Sequence, residues 1–553
     1  MGSTKKKGTN FLVQGSILAM ASIISRIIGL IYRIPMTEII GDLGNDYYGT
    51  AFEIYNIMLI ISSYSLPTAV SKLVSASIAK KERKNAYQIL KGSLLFAGVT
   101  GTVAALVVYF GAGFFTNLLK TPYSIFALKV LAPALIVVAV LGVIRGFFQG
   151  MGTMMPSAIS QVLEQIVNAV VSVWAAYVLF SRGAKVGAIL GDKEHYSAAY
   201  GAAGGTLGTN LGSVVALLFV LFVFAIYMTV FKRQMKREKK VKVSPFHYTL
   251  KILIATIIPI LLSTTIYNIS GIIDQAVFKN IASLQGYTQD EIGIWWGVYS
   301  GKYKTLINVP ISIASALAAS SVPALTASFA ENNMESVRAQ INTAMRFIMV
   351  IAMPCTVGLA VLATPIFTIL FPSTVSTVGL VNTMMMIGAV AVVFYSISTL
   401  SNGLLQGINQ LKAPLIHAAI SLVAHVVLLV ILMMFFRLNI YAVVIANAFF
   451  AFMVCVLNAL SLRKYSGYKQ EVVRTFLIPA LCSGIMGVVT LLVYKGLYAV
   501  SKSMIVALAV AVVVAVIVYA VSLLLLKGLT EEELQKFPKG NLIIRVAKKL
   551  HLL

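Results

Sequence analysis

The stretch SRIIGLIYRIP, residues 25–35, sets two arginines, Arg26 and Arg33, inside a run that is otherwise apolar enough to be a membrane helix. Crossing about 30 Å of hydrocarbon takes roughly 20 residues of helix, and the apolar run from about residue 11 to residue 34 supplies that length. Runs of the same kind recur as far as residue 527, about fourteen in all. The chain has 553 residues, of which 59% are hydrophobic and 11% charged, and its mean hydropathy is +0.90. That composition excludes a water-soluble globule and predicts an all-α polytopic membrane protein.

The formal net charge of +26 does not point to nucleic acid, because the cations sit in short segments between the apolar runs. Lys5, Lys6 and Lys7 precede the first run, KKERK (80–84) follows the second, and FKRQMKREKKVK (231–242) follows the sixth. Arg463, Lys464, Lys469 and Arg474 return after the twelfth. These segments are expected on the cytoplasmic side, and an even number of spans puts both termini there. Connections on the other side are expected to carry the acids Glu38, Asp42 and Asp46, and later Asp290 and Glu291. The first run is too long for a signal peptide, contains Arg26 and lacks a small-residue cleavage site, so it is expected to stay as a helix. Cys355, Cys455 and Cys482 all fall in apolar runs and read as small buried hydrophobes.

Two internal correspondences point to repeated halves. SKLVSASIAKKERKNAYQIL (71–90) resembles VPALTASFAENNMESVRAQI (322–341), and GFFQGMGTMMPSAIS (146–160) resembles GLLQGINQLKAPLIHA (403–418). Both recur in the same order at an offset of about 250 residues. The expected plan is therefore a first lobe of six helices over 1–231, a basic loop over 232–248 and a second lobe of six over 249–463. Two more helices follow over 464–527, then an amphipathic tail over 528–553 suited to the inner leaflet. Lobes that begin on the same side imply a pseudo-twofold axis along the membrane normal.

An arginine at the bilayer centre costs about 2.5–3.5 kcal/mol on insertion scales, so two in one span call for a polar, protein-lined setting. Seven residues apart, Arg26 and Arg33 share a helix face. Other intramembrane cations are Lys72, Arg145, Lys302 and Lys304, against the acids Glu53, Glu164 and Asp274. That surplus of positive charge suits an anionic ligand, although pairing of Arg26 with Glu53 or Glu164, and anchoring of the others at the interface, are open alternatives. Glu164, with Gln161, Gln165 and Asn168, forms a polar stripe. Asp274, with His417, His425 and Asn447 from later runs, is a candidate for a monovalent cation site or a salt bridge to Lys302 or Lys304. The longest outer loop, expected over 181–202, offers Asp192, Glu194 and His195 and reads as a solvated turn. No nucleophile–base pair, zinc spacing or phosphate-cradling loop is present, so neither an enzyme nor a resident cofactor is expected.

SRIIGLIYRIPMTEIIG, the following GNDYYGTAFEIYN and the two G-x-x-Q-G turns resemble the MurJ-like lipid II flippases of the multidrug/oligosaccharidyl-lipid/polysaccharide exporter superfamily. Within it the chain is most similar to the stage V sporulation protein B-like and YtgP-like branch. The resemblance implies a bacterial plasma-membrane transporter that alternates between two faces. It further implies a cationic cavity for the pyrophosphate of an undecaprenyl-linked glycan and a groove for its lipid tail in the last two helices. It assigns Arg26 and Arg33 to the cavity, matches Asp46 to an acid after the first helix, and sets Lys302 or Lys304 near the place of a family arginine. By the same resemblance Asp274, with Asn447, stands where some relatives hold sodium, and transport is expected to couple to sodium, protons or membrane potential. A cation-coupled multidrug exporter of the same fold and a non-transporting scaffold for wall synthesis are the alternatives.

Overall fold

The computed structural model describes residues 2–238 and 245–528, together with 544, 545 and 548. The inter-lobe loop is thus described only at its ends, and the expected amphipathic tail lies outside the described residues but for those three positions. Among the described residues every regular element is a helix. The chain packs as two units, residues 1–301 and 302–553. This division falls well beyond the 232–248 loop at which the repeats place the lobe joint.

The first unit contains α1 (Gly2–Leu59), α2 (Leu66–Ala79), α3 (Arg83–Leu118), α4 (Ile125–Leu131), α5 (Ala134–Gly150), α6 (Met155–Leu190), α7 (Lys193–Lys236), α8 (Phe246–Asn268), α9 (Ser270–Leu284) and α10 (Gln289–Gly297). The second contains α11 (Lys304–Ala330), α12 (Met334–Val361), α13 (Ala363–Leu370), α14 (Val378–Gly388), α15 (Val390–Gly407), α16 (Lys412–Met434), α17 (Ile440–Ser466), α18 (Ile478–Ser501) and α19 (Met504–Leu525). Ten helices are long and apolar enough to cross a bilayer among the described residues, or eleven if α14 and α15, bent by 48°, make one span. Large apolar side chains face outward along them: Phe110 is 79% exposed on α3 and Val516 65% on α19. In water such faces would aggregate, and in hydrocarbon they are solvated.

Against the expected fourteen, the first two spans join, which removes one from the count, and neither the seventh nor the eighth is among the ten. The segment carrying Glu38, Asp42 and Asp46 is helix rather than an outer loop, so Met20–Ala79 runs as 60 residues. At 1.5 Å per residue that is about 90 Å, enough for two crossings rather than one. The break between them is Gly41, at φ 68° and ψ −179°, a conformation that disfavours any side chain. Side chains bridge the backbone groups that the break leaves open. Asn45 Nδ2 donates to the carbonyls of Thr37 at 2.9 Å and Gly41 at 2.7 Å, and Thr37 Oγ1 donates to Asn45 Oδ1 at 3.1 Å. Two further interruptions fall where the seventh and eighth spans were expected: Ile269 parts α8 from α9, and a π-helical turn, Val298–Tyr303, parts α10 from α11.

The two G-x-x-Q-G turns serve the same purpose in each unit. At Gly146 an added Cβ would stand 2.6 Å from the Pro67 carbonyl oxygen, so α5 lies directly on the backbone of α2. In the second unit a Cβ at Gly403 would meet Ala318 Cβ at 3.0 Å, and one at Gly407 would meet Leu325 Cδ2 at 3.0 Å, which seats α15 on α11. Small residues let membrane helices approach closely where apolar burial offers no net drive.

Candidate anion site

The site is built on the contact between α1 and α6. Ser22, Arg26, Gly29 and Arg33 recur every three or four residues and so fall within an arc of about 60° on α1. Facing them on α6 are Gln161, Glu164, Gln165 and Asn168, the polar stripe read from the sequence. Ser22 Oγ donates to Gln161 Oε1 at 3.2 Å, Gln165 Oε1 lies against Gly29, and Asn168 Nδ2 donates to the Tyr32 hydroxyl at 3.1 Å. The other flank of the same helix pair is apolar: Met20, Ile24, Ile159 and Val162 line a groove of about 440 Å³.

Glu164 does not neutralise Arg26. It is taken by Arg145, whose Nη2 lies 2.8 Å from Glu164 Oε2 while its Nε donates to Ser160 Oγ at 2.8 Å. Among the described residues Arg26 and Arg33 have no carboxylate partner. Arg26 is exposed, and Arg33 is half-buried with its guanidinium carbon 4.2 Å from the centroid of the Tyr48 ring. Tyr48 is 1% exposed and packs on Phe52 with ring centroids 4.5 Å apart, so the aromatic face is fixed. Since Tyr48 follows the Gly41 break and Arg33 precedes it, the cation–π contact braces the two halves of α1. Such a contact contributes about 0.5–2 kcal/mol. Tyr48→Phe is expected to keep it and Tyr48→Leu to lose it; spin-label distances across Gly41 should stay sharp in the first variant and broaden in the second.

The other candidates are dispersed. Glu53 packs on α9, where a Cβ added at Gly271 would stand 2.7 Å from its Oε2. Lys72 is exposed on α2. Asp46 stands apart from the α1–α6 seam: it is 2% exposed and ion-paired with Lys279 of α9. Lys279 Nζ also donates to Thr121 Oγ1 at 2.6 Å, and Gln275 Nε2, one turn earlier, donates to Thr50 Oγ1. The sequence reading missed Lys279, although a lone lysine in the apolar run IIDQAVFKNI, five residues after Asp274, was a visible signal. Asp274 is buried on α9.

In the second unit Lys302 is 0% exposed and Lys304 half-buried, at the end of the π-helical turn and the start of α11. Turns of that kind are frequent at functional sites. Asn447 accepts from the Tyr395 hydroxyl at 3.0 Å and donates to the Val443 carbonyl at 3.0 Å. His417 is held by Asn458 at 2.7 Å and Ser461 at 3.1 Å, and His425 by the Ala446 carbonyl at 2.8 Å. Among the described residues no group of three or more His, Cys, Asp and Glu is arranged to hold a metal ion.

The described residues form a bundle of membrane-length helices whose first helix carries two arginines, Arg26 and Arg33, with no carboxylate partner among them, which defines a multi-pass membrane protein. The chain belongs to the polysaccharide biosynthesis protein family, whose profile matches residues 12–329. Among curated relatives it is 27% identical to the lipid II flippase MurJ of Bacillus subtilis (strain 168) over 495 residues, 86% of this chain and 87% of that one. It is 24% identical to the stage V sporulation protein B of the same organism, over 97% of this chain and 99% of that one. Among solved structures, lipid II flippase MurJ in an inward closed conformation superposes with a TM-score of 0.65 at 16% identity, covering 91% of this chain and 97% of that one. An inward-facing multidrug resistance MATE family transporter superposes with a TM-score of 0.65 at 17% identity, covering 82% and 98%. These superpositions show the fold, and the chain is a multi-pass membrane protein of that fold.

Proposed function

We propose that this chain moves an undecaprenyl-pyrophosphate-linked glycan, with lipid II as the first substrate to test, from the inner to the outer leaflet of a bacterial plasma membrane. The observation that carries the reading is the two-sided α1–α6 pair, with arginines that have no carboxylate partner among the described residues on one flank and an apolar groove on the other. A phosphate-bearing lipid has the same two sides. Stripping water from its headgroup makes unaided crossing prohibitive, and guanidinium groups in a wetted recess replace the lost contacts with charge-assisted hydrogen bonds. Arg26 is the primary contact because it is exposed, and Arg33, stacked on Tyr48, is a second station about 10 Å further along the helix.

By the positive-inside rule the basic segments support an inside position for the turns at 80–82 and 151–154 and an outside position for those at 119–122 and 191–192. An inside-negative potential then favours outward movement of a negative headgroup by about 2.3 kcal/mol per charge per 100 mV, so no nucleotide is needed. The test is a reconstituted leaflet-exchange assay with fluorescent lipid II, an undecaprenyl-monophosphate sugar and a neutral glycolipid. Saturable exchange of the pyrophosphate lipid above the other two is the expected result; exchange no faster than in protein-free vesicles overturns the reading.

A further inference from the structure

The segment expected as an outer loop over 181–202 is almost entirely helix. Its turn shrinks to Gly191 and Asp192, with Asp192 capping α7 at the His195 amide. His195 Nδ1 lies 2.8 Å from Asp192 Oδ1, and its Nε2 lies 2.8 Å from Asp290 Oδ1 at the start of α10. The Tyr123 hydroxyl, from the turn between α3 and α4, donates to Asp192 Oδ2, and the Tyr123 ring stacks on the imidazole with centroids 5.0 Å apart. One ring thus ties together three chain turns of the first unit.

The geometry fixes the protonation state that completes this cluster. Ionised carboxylates only accept hydrogen bonds, and a neutral imidazole has a single N–H, so it can satisfy one aspartate but not both. The imidazolium satisfies both. The other groups around the ring add no competing cation among the described residues. Tyr47 of α1 and Tyr196 of α7 pack on Tyr123 at 5.7 and 5.6 Å, and Glu291 of α10 is turned back onto Thr288 at 2.9 Å. Lys193 and Glu194 flank the ring in sequence and offset one another in charge. Asp192, which lies between two spans, is desolvated, but the bonds from Tyr123 and His195 together outweigh that and hold its carboxyl below its ordinary value, so it stays ionised.

We propose that His195 is a proton-operated clasp on the outer side of the first unit: protonated, it holds the α9–α10 turn to the α6–α7 hairpin, and deprotonated, it releases Asp290. Closing binds a proton, so the closed form is favoured in acid and the clasp opens as pH rises through the imidazole range. Under the flippase reading, on which this last consequence rests, external pH regulates headgroup release.

Hydrogen exchange of the full-length protein in nanodiscs reads the clasp without requiring any transport. After correction for intrinsic rates, peptides over residues 285–293 should exchange about tenfold faster at about pH 8.5 than at about pH 5.5, the loss of one charge-assisted hydrogen bond. His195→Phe keeps the stacked ring and removes both nitrogens; it should exchange fast at both pH values, as should Asp290→Asn. A flat wild-type profile, or a pH step that survives in both variants, overturns the clasp. Leaflet exchange at varied external pH reads the regulation: the wild-type profile should flatten in His195→Phe. If the exchange step is present but the transport profile is unchanged in that variant, regulation is overturned while the flippase reading stands. If no lipid moves at any pH, the flippase reading falls and the clasp is judged by hydrogen exchange alone.

Discussion

Replacing Arg26 by Gln is expected to slow leaflet exchange of a pyrophosphate-linked lipid by about 10- to 100-fold, the loss of one charge-assisted contact to phosphate. Arg26 is exposed on the polar seam and has no carboxylate partner among the described residues, so the variant removes the proposed ligand contact without leaving a buried charge behind. Stability should therefore stay near that of the parent. Arg26→Lys should recover part of the rate, since the charge returns but the planar fork does not. Arg33→Gln should lower the rate too, and should also loosen α1, because Arg33 sits over Tyr48. The measurement is initial exchange rate against lipid concentration at matched reconstitution density. A rate unchanged in Arg26→Gln would mean that the cationic face is not the substrate contact, and a scaffold role would gain ground.

Lys279→Met is expected to have the largest effect on stability, about 3–5 kcal/mol, because it strands a buried carboxylate. Asp46 and Lys279 are both nearly inaccessible and face each other, with Thr121 Oγ1 accepting a further hydrogen bond from Lys279 Nζ. The double variant Asp46→Asn, Lys279→Met removes both charges and should return much of the loss, since a neutral pair of similar volume avoids desolvating ions. Thermal unfolding in detergent compares the three proteins. Equal destabilisation in single and double variants would show that the pair acts through packing rather than charge.

The helical, membrane-embedded class was legible because each apolar run carries its own signal, and SRIIGLIYRIP needed only helical periodicity to put Arg26 and Arg33 on one face. The polar stripe from Gln161 to Asn168 was legible for the same reason, and the structure sets it against that face. Partners distant in sequence were not. Both α1 and α5 reach α6, so whether Glu164 answers Arg26 or Arg145 is decided by where the side chains meet, and Asp46 meets Lys279 across 233 positions that no local pattern connects. Acidic residues misled near the first helix: Glu38, Asp42 and Asp46 were read as a loop because charge alone does not distinguish solvent from a satisfied interior, whereas Asp192 with His195, read as a solvated turn, does stand at a turn and stays partly exposed.

The Gly41 break makes the amino-terminal part of α1 a lever. Arg26 lies fifteen positions before it, about 22 Å along the helix, so a swing of about 10° about Gly41 carries the guanidinium some 4 Å sideways. That displacement exceeds the length of a hydrogen bond. The Asn45–Thr37 bonds and the Arg33–Tyr48 stack both cross the break, so opening them is what frees the lever and exchanges the neighbours of its cationic end.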